Sequence, residues 1–344
     1  MDVRSSSVLV IGPAWVGDMV MAQSLFKTLR HHDSKVAIDV VAPPWSNDLL
    51  ARMPEVRFGY GIAVAHGEAG LRKRWKLGKK LRANHYSRAI VLPRSAKAAI
   101  VPWVAGIPTR TGYLGEYRYG LLNDIRTLDS NRHYRTVDRF VALAPTTSKT
   151  TTNATHPAPP HLISTAGQQA VTEHELGLGD TDQQPVLALC PGAEYGPAKR
   201  WPTDYFVSLA NEYKNKGWSV RLIGSMQDRA ITSQITNSVP TVTDLAGKTT
   251  IQQAIDLLAS AQVVVSNDSG LMHIAAATGT PVVALYGSSD PQYTPPLTSQ
   301  AEILYEHLPC SPCFQRQCPL GHLNCLTQIT PQAVSSAIAR LSNQ

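Results

Sequence analysis

Residues 263–286, VVVSNDSGLMHIAAATGTPVVALY, constrain the fold of this chain more than any other stretch. The β-branched run at 263–265 predicts a buried parallel strand, because a strand covered on both faces is apolar without alternation. The polar turn Ser266-Asn267-Asp268-Ser269-Gly270 follows, then a helical pattern from Leu271 to about Thr278. Gly279 stops that helix, and Pro281 opens a second buried strand over 282–286. Such a strand–turn–helix–strand unit belongs to an open parallel α/β sheet, in which ligands bind beyond the carboxyl ends of the strands. A helix N-terminus at that edge offers unpaired N–H groups and a partial positive charge, which suits phosphate. Ser269 adds a hydroxyl, Gly270 admits close approach to the backbone, and His273 falls in the first turn. Asp268 can orient a ligand hydroxyl or cap the helix, and the residue pattern leaves both open. The turn is expected to hold a diphosphate.

A chain of 344 residues suits two domains of this kind. With 43% hydrophobic and 17% charged residues the composition is that of a globular protein. Lys and Arg number 32 against 25 Asp and Glu, a net charge of +7 that points to an acidic partner. Charge alone does not choose among nucleic acid, an anionic membrane and a phosphorylated substrate. The apolar run at 8–11 is too short for a secretory signal, and no segment approaches the roughly 18 to 20 apolar residues of a membrane span. A cytoplasmic protein is expected.

In the first half, a strand at 8–11 runs into Gly12-Pro13-Ala14-Trp15-Val16-Gly17-Asp18, with a helix expected from about Met19 to Arg30. The Gly-x4-Gly spacing resembles a phosphate loop without its Lys-Ser/Thr ending, and the dinucleotide fingerprint is absent. Asp18 stands there instead, where a carboxylate would repel phosphate. It is placed either as a general base at a strand end or as a helix cap. Residues 71–82, LRKRWKLGKKLR, predict a basic helix in which Leu71, Trp75, Leu77 and Leu81 form one apolar stripe among cations. Such a helix suits an anionic membrane surface or the flank of an anionic acceptor, and equally a solvated face. A strand at 89–92 ends in Pro93-Arg94-Ser95-Ala96-Lys97, which would bring Arg94 and Lys97 to the strand-end edge that carries Asp18.

The Thr- and Pro-rich run over 145–164 has no periodicity and reads as a linker. It divides a first domain, 1–160 with its linker from about 145, from a second at 165–344. The second half restarts with a strand at 186–189 and the turn CPGAEYGPAKRWP, whose Lys199 and Arg200 precede a helix and can neutralise a diphosphate. A strand at 220–223 leads to Asp228, placed to accept hydrogen bonds from ribose hydroxyls. The turns at 244–247 and 287–291 lie on the same rim. A final helix over 331–341 is a candidate to pack back on the first domain.

Three long strings, GPAWVGDMVMAQSLFKTL, PGAEYGPAKRWP and VSNDSGLMHIAAATGTPVVALYG, together with RTGYLGEYRYGLLND, resemble the bacterial lipopolysaccharide heptosyltransferases, above all their heptosyltransferase II branch. The likeness covers nearly the whole chain. It implies the GT-B fold, with two Rossmann-like parallel-sheet domains facing across a cleft, the first for the acceptor and the second for the nucleotide sugar. By that resemblance Asp18 is the general base that deprotonates the acceptor hydroxyl for an inverting attack on ADP-heptose. Lys199 and the helix start at Ser269, Gly270 and Leu271 stabilise the departing diphosphate without a metal cofactor. His273 adds a hydrogen bond, Asp268 holds sugar hydroxyls and Asp228 the ribose. The implied acceptor is Kdo2-lipid A carrying one heptose, met by Arg94 and Lys97 on the inner face of the inner membrane. A monomer that binds no nucleic acid is expected.

Four cysteines, Cys310, Cys313, Cys318 and Cys325, lie close together with His307 and His322. Ligand type admits a structural metal, but only the x2 spacing fits a common zinc module, so reduced thiols in a compact loop are expected and no metal is assigned. The rival readings are transfer to Kdo as the first heptose, another nucleotide-sugar GT-B enzyme such as an epimerase, and a non-enzymatic nucleotide-sugar binder. The last explains the charge and leaves Asp18 without a task.

Overall fold

The structure, a computed structural model, describes residues 7–64, 68–145, 157–179 and 184–342. The chain divides into two compact units, Met1–Pro160 and His161–Gln344. Most of the expected linker, residues 146–156, lies outside the described residues. Among the described residues no helix is long and apolar enough to cross a membrane.

The first unit is a six-stranded sheet of β1 (Ser7–Ile11), β2 (Ala37–Ala42), β3 (Val56–Gly61), β4 (Arg88–Val91), β5 (Thr109–Tyr113) and β6 (Asp124–Arg126), in the order β3-β2-β1-β4-β5-β6. Every pairing is parallel. Its helices are α1 (Val16–His32), α2 (Ser46–Leu50), α3 (Leu71–Leu81), α4 (Ile100–Val104) and α5 (Thr136–Val141). The strand order reverses between β1 and β4, whose carboxyl ends therefore lie side by side, with Leu92 N donating to Ile11 O at 3.1 Å. The sheet centre is apolar on both faces (Leu9, Ile11, Val41, Ala89 and Val91 are buried on one, Val8, Val10, Val40 and Ile90 on the other), which is why these strands read as unbroken hydrophobic runs.

The second unit repeats the plan with β7 (Val186–Cys190), β8 (Ser219–Leu222), β9 (Thr243–Asp244), β10 (Val263–Asn267), β11 (Val282–Tyr286) and β12 (Ala301–Tyr305), in the order β12-β11-β10-β7-β8-β9. All of its pairings are parallel as well. Helices α6 (Ala166–Glu175), α7 (Thr203–Asn215), α8 (Arg229–Ser238), α9 (Ile251–Ala259), α10 (Gly270–Thr278), α11 (Asn324–Thr327) and α12 (Pro331–Ser342) complete it. The switch point falls between β7 and β10, so the turns that follow those two strands flank one crevice at the carboxyl edge. The terminal helix α12 buries Val334, Ala337, Ile338 and Leu341 in the core of this second unit.

Several local expectations change. Helix α1 begins at Val16, three residues before the expected start, so Gly17 is helical and no phosphate-type loop follows β1. Strand β10 runs on through Ser266 and Asn267, both fully buried, which shortens the polar turn to two residues. The stripe expected along α3 splits: Gly78 and Leu81 are buried, whereas Leu71 and Trp75 are exposed. Gly78 wins because a helix without a side chain at that point approaches its neighbour most closely. A Cβ there would lie 2.9 Å from Val101 O.

Candidate active site

The crevice at the β7–β10 switch point is built from the strands outward. Asn267, the last residue of β10, turns its amide into the loop after β7, donating to Pro191 O at 2.8 Å and accepting from Trp201 N at 3.0 Å. That double contact holds the β7 loop against the end of β10. Lys199 lies in this loop, and its Nζ meets Asp268 Oδ2 at 2.5 Å. Ser289, from the turn after β11, donates its hydroxyl to the same oxygen at 2.5 Å. The Lys199 ammonium also lies 5.0 Å from the Tyr195 ring centroid, and the Arg316 guanidinium sits 5.3 Å from the same ring. Three strand-end turns thus converge on one buried carboxylate.

Helix α10 starts directly beside it. Ser269 is the N-cap, extended at φ −146° and ψ 173°, so Asp268 is the residue before the cap and not the cap itself. No side chain caps α10; Ser269 Oγ lies 3.2 Å from Ser266 Oγ. The helix therefore keeps the anion-attracting end that its backbone amides create. His273 is buried one turn in, and burial pushes its imidazole down to about 4, against the Asp268 carboxylate and with the Lys199 cation. At neutral pH it is an uncharged ring. A neutral imidazole can donate or accept a hydrogen bond without adding charge.

Asp228 takes part in a local structure of its own. Its Oδ2 accepts from Ser225 N and Ser225 Oγ, each at 2.8 Å, in a capping box on the turn after β8. Gly192, after β7, packs directly on this carboxylate, and a Cβ there would overlap it. The absence of a side chain at 192 is what lets the two strand-end turns touch.

In the first unit Asp18 is partly exposed in the first turn of α1, three residues after the N-cap Trp15. It is not the cap. It stands at the carboxyl edge of β1, beside the turn that follows β4. There Arg94 Nη2 donates to Leu114 O at 3.3 Å and Lys97 Nζ to Glu68 O at 3.1 Å. The residue that organises this edge is Arg118, which sequence reasoning passed over. It is 1% exposed and donates to Pro93 O at 2.6 Å, Ser95 O at 3.2 Å and Tyr113 O at 2.5 Å. Burial, aided by Arg94 and opposed by Glu116, pushes its guanidinium down to about 10. One buried cation therefore sews the β4 turn to the loop after β5. The only hint in the sequence was an Arg between two tyrosines.

The cysteines Cys310, Cys313, Cys318 and Cys325 all line one small cavity, with Ala198, Ser288 and His322 on its wall. They are free thiols, and among the described residues no group of three His, Cys, Asp or Glu side chains is arranged to hold a metal ion. Burial and the neighbouring thiols push Cys325 up, whereas backbone N–H groups at Leu320 to Leu323 pull Cys318 down. The segment also braces the lysine turn: Arg316 O accepts from Ala198 N at 3.1 Å, and Phe314 O from Tyr195 Oη at 2.6 Å.

The chain matches glycosyltransferase family 9 (heptosyltransferase) over residues 74–324. It is 42% identical to lipopolysaccharide heptosyltransferase 2 of Escherichia coli K12, over 95% of this chain and 96% of that one. Identity to lipooligosaccharide heptosyltransferase 2 of Haemophilus ducreyi is 46%, covering 86% and 88% of the two chains. The solved structure of the E. coli ADP-heptose lipopolysaccharide heptosyltransferase II superposes with a TM-score of 0.88 at 40% identity, covering 98% and 99%. This chain belongs to glycosyltransferase family 9, the heptosyltransferases, and its two Rossmann-like parallel sheets are those of the GT-B fold.

Proposed function

We propose that this family 9 glycosyltransferase transfers L-glycero-D-manno-heptose from ADP-heptose to the first heptose of the lipopolysaccharide inner core, with inversion. The observation that carries the reading is the Lys199–Asp268–Ser289 constellation beside the uncapped start of α10. In this reading the cation and the helix-start amides meet the charge that a diphosphate leaving group develops, and the carboxylate accepts from sugar hydroxyls. The identity to heptosyltransferases 2 over almost the full chain supports the donor and the choice of the second heptose.

In this reading the second unit holds the donor. Lys199, the amides at Gly270 and Leu271 and the Ser269 hydroxyl take the diphosphate, and no divalent metal is required because these groups supply the positive charge. When the donor enters, Lys199 exchanges the Asp268 carboxylate for phosphate oxygens. That exchange frees Asp268 to accept from heptose hydroxyls. Neutral His273 donates a hydrogen bond, and Asp228 holds the ribose through the oxygen Ser225 leaves unused. The first unit takes the acceptor, with Asp18 as general base and Arg94 and Lys97 facing its acidic groups. The enzyme acts as a monomer on the inner face of the inner membrane.

The test is ADP release from ADP-heptose with an acceptor that already carries one heptose, in the presence of EDTA. Wild type should turn over only when the acceptor is present. Asp18→Asn should lose about a thousandfold in kcat while still binding ADP, the scale for loss of a general base. Turnover only with an acceptor lacking heptose would move the enzyme to the first transfer, and an unimpaired Asp18→Asn would remove the base.

A further inference from the structure

Helix α3 carries Arg72, Lys73, Arg74, Lys76, Lys79 and Lys80 and no acidic residue. Among the described residues none of these cations is in a salt bridge. Lys73 and Arg74 instead reach backbone carbonyls at Ala63 and Ala69. The close approach at Gly78 lays α3 against α4, whose Val104 side chain would meet any Cβ at 78. Two tryptophans are thereby brought together on the outside. Trp75 is 46% exposed, Trp103 is 44% exposed, and their rings meet edge to face with centroids 5.9 Å apart. Leu71, one turn before Trp75, is 57% exposed, and Lys79, one turn after it, lies 6.0 Å from the Trp75 ring. Two large aromatic side chains left half in water have foregone burial that the core could have given them. Their rim of cations is the composition of a surface that meets anionic lipid, where indole rings sit at the headgroup level and lysines lie above it.

The face is also joined to the strand-end edge. The short helical turn Ala96–Ala99 runs straight into α4, so Lys97 stands at the start of the stretch that ends in Trp103. A lipid-anchored acidic molecule held at this face would present its head group next to Arg94 and Lys97.

We propose that Trp75, Trp103 and Leu71, ringed by the α3 cations, form the surface by which this protein docks on an anionic lipid bilayer. The inference rests on the reading of the acceptor as a membrane lipid, and it names the residues that reach the membrane. Trp75 and Trp103 insert at the interface, and the cations supply attraction over the distance of the headgroup layer.

Vesicle co-sedimentation tests it, with one preparation of pure phosphatidylcholine and one of equal parts phosphatidylcholine and phosphatidylglycerol, both free of acceptor. Wild type should bind the anionic vesicles and leave the neutral ones. Trp75→Ala with Trp103→Ala should weaken that binding about tenfold through lost interfacial burial. Lys76→Gln with Lys79→Gln and Lys80→Gln should weaken it by roughly a hundredfold, since each cation at an anionic surface counts for about a factor of five. Both variants should keep wild-type thermal stability and wild-type turnover on a water-soluble, deacylated acceptor. Equal binding to both vesicle types, or a tryptophan variant that binds as wild type does, would overturn the proposal. Because the vesicles hold no acceptor and the deacylated acceptor needs no bilayer, loss of the docking surface and failure of the transferase reading give separate results.

Discussion

In the second unit, Lys199, Asp268 and Ser289 meet at 2.5 Å inside a turn where Asp268 is 5% exposed. In the first unit, Arg94 and Lys97 end on backbone carbonyls at a solvent-facing edge. Both are cations at the carboxyl edge of a parallel sheet, and both flank a switch point. The difference lies in what holds them. The Lys199 turn is fixed by the Asn267 amide and by a carboxylate, so its charge is aimed before any ligand arrives. Around Arg94 the backbone is fixed, by Arg118, while the cation itself stays exposed. Preorganised charge in a dry site acts strongly on a transition state, whereas hydrated charge attracts and selects an acidic partner. Under the proposed function, the difference suits the second unit to departure of the leaving group and the cations of the first to capture of the acceptor.

Three measurements break or sharpen that contrast. The largest effect is expected at Lys199. Lys199→Met should lower kcat by about a thousandfold, or roughly 4 kcal/mol, with little change in acceptor KM, the scale of losing one preorganised charge donor. A loss confined to KM would make the turn a binding device only.

The next is His273. Its folded value of about 4 lies below the ordinary 6.5, so the unfolded chain takes up a proton first as the pH falls. Stability is unaffected above about pH 6.5 and declines between there and about pH 4, by on the order of 3 kcal/mol in total. Thermal melts of wild type and His273→Gln across that window should converge toward low pH as the wild type loses its advantage. Parallel curves would mean that His273 is not held neutral by burial.

The smallest effect belongs to the first unit. Arg94→Ala and Lys97→Ala should each raise the acceptor KM about tenfold at low ionic strength and less at high salt, with the donor KM unchanged. A salt-independent effect would place these cations in a dry site like that of Lys199 and erase the difference between the two edges.

The alternation of short apolar strands with helices was legible throughout, because a parallel strand buried on both faces writes an unbroken hydrophobic run into the sequence. The ends of elements were less so. Helix α1 gained three residues at its start, and β10 kept Ser266 and Asn267, because pairing with β7 and β11 extends to those polar residues. The stripe drawn along α3 failed for a related reason. Hydrophobicity ranks Trp75 above Gly78, but close packing against α4 rewards the residue with no side chain.

The sequence by itself determined the two α/β halves, the strand-end turns and the residue types placed in them, since each depends on neighbours a few positions away. Only the tertiary structure decided which turns meet. Lys199 and Asp268 are 69 positions apart, and Asp268 and Ser289 are 21. The strand order β11-β10-β7 brings them to one carboxylate, just as the order β1-β4-β5 puts Arg118 under the Arg94 turn. Strand order is set by how whole sheets and helices exclude water, a sum over the entire unit that no local window contains.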